Sequence, residues 1–254
     1  MKKTCFILSG FVLFGFISCQ NTLSFDVDNV DKLNFAENKP EDLSTKLEFV
    51  NDITLPAGYE RELVSDYGTW IRNLKLNKDN TVYYYNGDIK PTQSIHVAVL
   101  DLDIGNRDLQ QCADACMRIR AEYLFNQKRY AEVKFLLVSG KWKSFTEYTV
   151  KKDYSSFKKY MNYIFSYANT ASLKKQLTKV GNINDIKIGD VFVQSGNPYG
   201  HAVTVMDVCK NKAGEKMFMI SQSYMPAQSI EILINPQSTN KSPWYSTNFK
   251  EELI

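Results

Sequence analysis

Residues 188–208, IGDVFVQSGNPYGHAVTVMDV, decide the fold of this chain. Two runs rich in β-branched and aromatic residues, 190–194 and 201–208, flank a break at Gly196-Asn197-Pro198, a pattern typical of two strands joined by a loop. Two similar runs follow at 217–223 and 230–234, and they are separated by breaks at 211–214 and around Pro226. The C-terminal part is therefore predicted to be an antiparallel meander.

Helical spacing precedes these strands. Six residues fall near one face of a helix predicted over 107–126, namely Leu109, Cys112, Cys116, Ile119, Tyr123 and Leu124. A second helix is expected after a cap at Ser155 or Ser156, and a third over 172–177. Short strands are expected at 81–85 and 94–102, with a hairpin of 131–138 and 142–150 around Ser139-Gly140. Helices followed by an antiparallel sheet predict an α+β fold.

The composition excludes several classes of protein. The chain has 254 residues, of which 44% are hydrophobic and 23% charged, so it is neither disordered nor fibrous. Lys2 and Lys3 supply two of the three net positive charges, and the rest of the chain carries 29 basic against 28 acidic residues. Because no basic tract remains, a nucleic-acid partner is not expected.

The N-terminus predicts export. Residues 1–20 read MKKTCFILSGFVLFGFISCQ, a basic pair followed by a short apolar run, so 1–18 are predicted to be a signal peptide. The tetrapeptide at 16–19 resembles a bacterial lipobox, which implies acylation of Cys19 and a membrane-lipid anchor in the cell envelope, at the outer membrane. An ordinary signal peptide with a coincidental Cys is the alternative. Residues 19–48 read as a flexible tether and 49–254 as a single domain.

The remaining cysteines pose a question. Three cysteines remain, Cys112, Cys116 and Cys209. Because three is an odd number, no disulfide framework is implied. Core burial explains Cys116 and Cys209. Cys112 lies about one turn inside a helix expected to start within 105–108, where the helix N-terminus would lower the pKa of a thiol. Cys112 is thus either a nucleophile or a small buried apolar residue.

His201 makes the nucleophile hypothesis stronger. It is one of two histidines, and it opens a predicted strand directly after Gly200. If 211–214 form a four-residue loop, Lys210 pairs with Glu215, and Gln222 then lies on the same sheet face as His201. A slip of one residue would offer Ser221 or Ser223 instead. Cys112, His201 and Gln222 thus supply a nucleophile, a base and a group that orients the base.

This order of residues resembles the papain-like superfamily, with the closest match to the NlpC-type and CHAP cell-wall peptidases and amidases. The resemblance spans roughly 107–223. It implies a central helix that carries Cys112 and packs on an antiparallel sheet, with Cys112, His201 and Gln222 in the three catalytic roles. Those families usually have Asp or Asn just before the Cys, where this chain has Gln111.

A second resemblance is longer. The strings DLQQCADACMRIRAEYLF, IGDVFVQSGNPYGHAVTVMDV, SQSYMPAQSI and SPWY are similar to a bacterial family of envelope lipoproteins, the domain of unknown function 4846 class. It covers nearly the whole mature chain and implies a fold unit without an activity.

Aromatic residues are candidates for substrate binding. Trp70, Trp142 and Tyr199 could line a sugar or peptide cleft, and Tyr199 lies two residues before His201. His96 lies in an apolar run and is predicted to be structural. No His/Cys spacing suits a metal, and no phosphate-binding loop indicates a cofactor.

The function expected from the sequence is that of a lipid-anchored, monomeric cysteine hydrolase of the cell envelope. Its substrates would be amide bonds such as those of peptidoglycan peptides. The alternative is a non-catalytic envelope protein of the same fold that binds a glycan or peptide in an aromatic cleft.

Overall fold

One sheet of nine strands organises the part of the chain described by a computed structural model, which covers residues 4–8, 47–196 and 199–248. Its strands are β1 (Thr4–Leu8), β2 (Tyr59–Arg61), β3 (His96–Val99), β6 (Thr178–Lys179), β7 (Val191–Gln194), β8 (His201–Asn211), β9 (Lys216–Gln222), β10 (Glu231–Leu233) and β11 (Tyr245–Ser246). A separate hairpin pairs β4 (Lys134–Leu136) with β5 (Trp142–Ser144).

The sheet order is β3-β10-β9-β8-β7-β1-β6, with β2 beside β8 and β11 beside β9. Every pair is antiparallel except those that β1 makes with β6 and β7. The predicted meander of β7 to β10 is therefore present, and it forms the middle of the sheet.

Within the described residues, five α-helices accompany the sheet: α1 (Asp66–Arg72), α2 (Cys112–Asn126), α3 (Phe145–Tyr148), α4 (Tyr154–Tyr167) and α5 (Thr170–Gln176). Helix α2 packs on β8 and also contacts α1, α4 and α5. Since neighbours surround it, even Arg118 and Glu122 of this helix are buried. The combination of helices with a mainly antiparallel sheet confirms the α+β prediction.

Helix α2 begins later than predicted. The expected start lay within 105–108, but the first helical residue is Cys112, with Gln111 as N-cap. The stretch before it is held to the loop after β9: the Asp108 carboxylate accepts the N–H of Ala227 (2.7 Å), and the Gln110 carbonyl lies 2.8 Å from the Ser223 hydroxyl. These bonds hold 108–111 outside the helix and bring its first turn against the end of β9.

One predicted strand is wrong and a second is shorter than predicted. Residues 81–85 form only isolated bridges, because the N–H of Val82 is taken by the Gln93 side chain (2.9 Å) instead of a neighbouring strand. The strand predicted over 142–150 ends at Ser144. Ser144 caps α3, with Glu147 returning a bond to the Ser144 N–H (2.9 Å), a serine-x-x-glutamate capping box. Helix α4 is capped by Asp153, two or three residues before the predicted serines.

A β-bulge sets the register between β8 and β9. At the loop end Lys210 pairs with Lys216, one residue away from the predicted partner Glu215. The register shifts between Val205 and Asp207, and beyond the shift Thr204 pairs with Ser221. The next position therefore sets Val203 opposite Gln222. This places Gln222 on the same sheet face as His201, as predicted, because the bulge cancels the one-residue slip.

The N-terminal predictions lie mainly outside the described residues. Within the predicted signal peptide, only Thr4–Leu8 are described, and β1 pairs with β7 in the register Cys5↔Val191. Cys19 and the tether up to residue 46 are outside the described ranges. Among the residues that are described, no helix combines the length and apolar composition that crossing a bilayer requires.

A buried ion cluster joins β8 to the helical layer. The Asp207 carboxylate is fully buried and accepts from Arg61 Nε (2.7 Å), Arg72 Nε (2.8 Å) and the Val208 N–H (2.8 Å). Arg72 also donates to the carbonyl oxygens of Glu62 and Val208. Since a buried carboxylate is costly without its partners, this cluster ties α1 and β2 to the bulged strand.

We expect Arg72→Leu to lower the free energy of unfolding by about 3–5 kcal/mol, because it leaves a buried carboxylate short of one charge partner. Urea denaturation of the purified protein measures this. Lys210→Leu is the matched control: its Nζ lies 3.4 Å from Glu62 and its side chain is 54% exposed. That loss should stay below about 1 kcal/mol. Equal losses in both variants would contradict the role assigned to Asp207.

Candidate active site

Cys112 is the first residue of α2 and lines a cavity of about 340 Å³. The cavity lies between the start of α2, the start of α5 and the connection from β7 to β8. Cys112 Sγ lies 3.9 Å from the carbonyl oxygen of Gly200, the residue before His201. The fold thus brings the thiol to the backbone that carries the histidine, 89 positions along the chain from it.

Gly200 makes this approach feasible. A Cβ atom at position 200 would lie 2.7 Å from the carbonyl oxygen of Gln194 and 3.0 Å from Cγ2 of Thr170. A side chain here would force the β7–β8 connection away from α5. The Gly before His201 is therefore required by the close packing of three backbone segments around Cys112.

His201 and Gln222 are hydrogen-bonded to each other. His201 opens β8 and Gln222 ends β9, and the distance from His201 Nε2 to Gln222 Oε1 is 3.0 Å. The Gln222 amide nitrogen in turn donates to Oε1 of Glu231, also at 3.0 Å. Three side chains from three adjacent strands thus form one polar chain, which ends at a carboxylate.

The direction of these bonds fixes the tautomer of His201. A carboxylate only accepts hydrogen bonds, so the Gln222 amide must turn its NH₂ group toward Glu231 and its oxygen toward His201. That oxygen needs a donor, and Nε2 of His201 must therefore carry the proton. In the neutral ring this leaves Nδ1 unprotonated and able to accept a proton.

Glu231 is the residue of this site that the sequence analysis missed. It is fully buried, and Oε1 also accepts from Lys90 Nζ (2.9 Å) and Gln228 Nε2 (2.8 Å), while Oε2 lies 3.2 Å from His96 Nδ1. Burial favours a raised pKa, but the hydrogen bonds from His96, Lys90 and Gln222 outweigh it and lower the pKa of Glu231. The available signal was a single acidic residue inside the apolar run IEILI.

The electrostatics keep the resting pair neutral. Burial raises the pKa of the Cys112 thiol, although the N–H groups of Ala202 and Ala113 act in the opposite direction. The expectation that the helix N-terminus would lower this pKa is wrong in its net sign, because desolvation is the larger effect. Burial lowers the pKa of His201, and the hydrogen bond with Gln222 opposes that shift. A protonated thiol and a neutral imidazole follow at neutral pH.

The Cys112 thiol contacts the residue before His201 but makes no hydrogen bond with the imidazole itself. Within the described residues, the Cys112 thiol is hydrogen-bonded to the Gly200 carbonyl, and no hydrogen bond joins it to the His201 ring. The His201 ring instead packs against Tyr224, with centroids 5.4 Å apart. Proton transfer therefore requires a rearrangement that brings the thiol and the ring into contact.

Asp114 is an acidic residue that lines the Cys112 cavity. It is 7% exposed, and its Oδ2 accepts the N–H of Gln111 (3.2 Å), whereas Oδ1 is buried without a hydrogen-bond partner. Burial raises the pKa of Asp114 well above its ordinary value. A neutral carboxyl at this position avoids repulsion of a thiolate at Cys112, which a charged Asp114 would disfavour.

The three aromatic candidates occupy different places. Tyr199 lines the Cys112 cavity and is 71% exposed. Trp142 lies on β5 and lines a second cavity. Lys134 Nζ lies over the Trp142 ring, 5.8 Å from its centroid. Trp70 packs on Tyr67 and Tyr123, with centroids 6.3 and 5.7 Å apart, and lines neither of these cavities.

Two other cysteines lie outside the Cys112 cavity. Cys116 and Cys209 are free and buried, and burial raises the pKa of each to about 12. In the described ranges, no group of three or more His, Cys, Asp or Glu side chains could hold a metal ion.

Comparison with protein families supports one of the two resemblances. The family model described as Domain of unknown function (4846) matches residues 50–152 and 149–254. The chain belongs to this family. No curated protein and no solved structure matches it.

The two matched segments of the domain of unknown function 4846 family divide the site between them. Cys112 falls in the first segment, and His201, Gln222 and Glu231 fall in the second. The thiol therefore comes from the first segment of the family model, and the whole polar chain comes from the second. Because the family's description carries no activity, the function must be argued from the chemistry of these residues.

We expect Glu231→Gln to change the tautomer of His201. A glutamine at 231 can offer either an oxygen or an NH₂ group, so the Gln222 amide is no longer held in one orientation. The ¹⁵N NMR shifts of the imidazole should change from the Nε2–H form to a mixture with the Nδ1–H form.

Lys90→Met is the matched control for this change. It removes a different partner of Glu231 but leaves the carboxylate facing Gln222, so the Nε2–H form should persist. A pure Nε2–H tautomer in Glu231→Gln would show that Glu231 does not set the orientation.

Proposed function

We propose that this chain is a cysteine hydrolase with a papain-like arrangement, acting on amide bonds. The single observation that carries the proposal is the directed chain from Glu231 through Gln222 to His201. It supplies a base with an unprotonated Nδ1 on the backbone that the Cys112 thiol contacts. Cys112 is the nucleophile, His201 the acid–base group, and Gln222 the residue that positions His201.

The reaction begins with transfer of the Cys112 proton to Nδ1 of His201. The thiolate then attacks the amide carbonyl carbon to form a tetrahedral intermediate. Its oxyanion is held by backbone N–H groups of the first turn of α2, because the first N–H groups of a helix have no acceptor within the helix. His201 returns the proton to the leaving amine as the C–N bond breaks. A water molecule, deprotonated by His201, hydrolyses the thioester and releases the carboxylic acid.

One conformational step precedes this chemistry. Cys112 Sγ must leave the Gly200 carbonyl and come within hydrogen-bond reach of Nδ1 of His201, which does not line the Cys112 cavity in this structure. Hydrogen bonds between catalytic groups are often formed only once substrate is bound. A carbonyl group bound in the 340 Å³ cavity would exclude water from the thiol and favour this rearrangement.

The substrate and the location are proposed from the N-terminal sequence together with the site. A signal peptide over 1–18 and acylation of Cys19 would anchor the enzyme by lipid to the cell envelope, at the outer membrane. The amide bonds of peptidoglycan peptides are the substrates available there. Tyr199, which is exposed at the cavity, offers an aromatic face for such a peptide.

A non-catalytic binding protein is the second candidate. Two observations favour it: burial raises the pKa of the Cys112 thiol, and that thiol is bonded to a backbone carbonyl instead of the imidazole. In such a protein the same cavity would bind a peptide or glycan without cleaving it.

Digestion of purified peptidoglycan separates the two candidates. Wild-type protein should release fragments with newly formed carboxyl and amine ends, and Cys112→Ala should release none above background. Gln222→Leu should retain activity reduced by about 10²-fold, within the range for groups that assist proton transfer. Mass spectrometry of the products measures all three. Cleavage by Cys112→Ala at the wild-type rate, or binding without cleavage by the wild type, would refute the hydrolase.

The pH profile tests the role of His201. The base must be neutral, and burial lowers its pKa from 6.5, so the acidic limb of kcat/KM should lie below pH 6.5. The hydrogen bond with Gln222 raises this pKa. Gln222→Leu removes that bond, and the limb should move to still lower pH as the overall rate falls. An acidic limb above pH 7, or a limb that moves upward in Gln222→Leu, would contradict this assignment.

A further inference from the structure

A second cavity, of about 370 Å³, lies beside α2 and shares no lining residue with the Cys112 cavity. Its walls come from α2, from the end of α5, from the β4–β5 hairpin and from β7 and β8. Arg120 on α2 is eight residues after Cys112, which corresponds to roughly 12 Å along a helix. The two cavities are therefore separate sites on one helix.

Arg120 lies in this cavity with its charge unpaired. Its guanidinium stacks over the rings of Tyr67 and Tyr123, 4.7 and 5.2 Å from their centroids. Among the described residues it makes no hydrogen bond and no ion pair. Burial lowers the pKa of Arg120, the charge of Arg129 acts in the same direction, and the charge of Glu132 offsets these effects only in part.

The arginine two residues earlier provides the contrast. Arg118 is 2% exposed and donates to Glu122 (2.5 Å), to Gln110 Oε1 (3.0 Å) and to the Tyr154 hydroxyl (3.0 Å). A buried guanidinium on this helix is thus supplied with acceptors where it is structural. Stacking on the two tyrosine rings fixes the orientation of the Arg120 guanidinium, and its N–H groups find no acceptor among the described residues. An arginine that binds a ligand presents its N–H donors in this way.

The charge around the cavity is positive. Lys134 is exposed on β4 and is the second basic residue of the lining. Glu132 is the one acidic lining residue, and both of its oxygens are engaged by Arg129, at 2.6 and 2.5 Å. Among the described residues Glu132 makes its ion pair with Arg129 and none with Arg120 or Lys134, although its charge acts on Arg120 at longer range.

Apart from Gln176 and Thr204, the rest of the lining is mainly apolar or aromatic. Phe135, Leu173, Leu177 and Val191 contribute aliphatic and aromatic surface, and Trp142 is 52% exposed. A guanidinium fork pairs bidentately with a carboxylate, and an exposed indole ring stacks on flat groups. The volume suits a ligand of a few residues or one substituted ring.

We propose that this cavity is a binding site for a small carboxylate ligand with an aromatic or apolar body. The carboxylate pairs with Arg120, assisted by Lys134, and the body packs on Trp142 and the apolar wall. The site does not rest on the proposed hydrolase function, since none of its residues belongs to the Cys112 site.

A matched pair of probes isolates the carboxylate. The full chain is titrated with 3-phenylpropionate and with 3-phenylpropionamide, and the indole N–H signal of Trp142, assigned through Trp142→Phe, is followed by NMR. The carboxylate should bind with a saturable shift and at least about tenfold more tightly than the neutral amide. Arg120→Gln should remove this difference. Arg107→Gln, the same change at an exposed arginine outside the cavity, should preserve it.

Two further variants keep the test independent of folding and of catalysis. Lys134→Gln changes an exposed side chain and should weaken the carboxylate by a smaller factor, about threefold. Cys112→Ala should bind the carboxylate as the wild type does, even if the hydrolase proposal fails. Equal affinity for acid and amide, an unchanged affinity in Arg120→Gln, or inorganic phosphate binding as tightly as the carboxylate would overturn the assignment.

Discussion

The pairing of β8 with β9 is the constraint on which the rest of the structure depends. β8 contacts β2, β7, β9, α1 and α2, so every layer is built against it. The bulge between Val205 and Asp207 divides the strand into two registers. On one side it directs Asp207 inward to Arg61 and Arg72, and on the other it sets His201 and Gln222 on one face. Without the bulge, a one-residue slip would move Gln222 to the opposite face.

A second constraint is chemical. Glu231 is a buried carboxylate, and a carboxylate can only accept hydrogen bonds, so every neighbour must present a donor to it. Because the Gln222 NH₂ group must donate to Glu231, the Gln222 oxygen faces His201 and accepts the proton carried by Nε2. Lys90 and Gln228 supply further donors to Oε1 of Glu231. In a low-dielectric interior these bonds to Glu231 Oε1 hold the chain in one direction, because a reversed bond would leave a further buried polar atom unpaired.

Helix α2 links the two sites proposed for this protein. Its first turn carries Cys112, its second carries the structural Arg118, and its third carries the unpaired Arg120. Because the helix is buried by the sheet on one side and by other helices elsewhere, its polar side chains are either satisfied internally or directed into a cavity. Trp142, which the sequence offers as a candidate to line a sugar or peptide cleft, lies at the cavity of Arg120.

The sequence by itself determined the α+β class, the meander of β7 to β10, the restriction of the His201 partner to Gln222, Ser221 or Ser223, and the family. These follow from local patterns: alternation, turn residues and the order of a few polar groups. Tertiary structure decided the start of α2, the loss of the strand at 81–85, the raised pKa of Cys112 and the role of Glu231. Each of these depends on burial or on a partner more than ten residues away, such as Ser223 for Gln110 or Gln93 for Val82. Periodicity reports the preference of a segment, whereas desolvation and the satisfaction of buried polar groups depend on what packs against it.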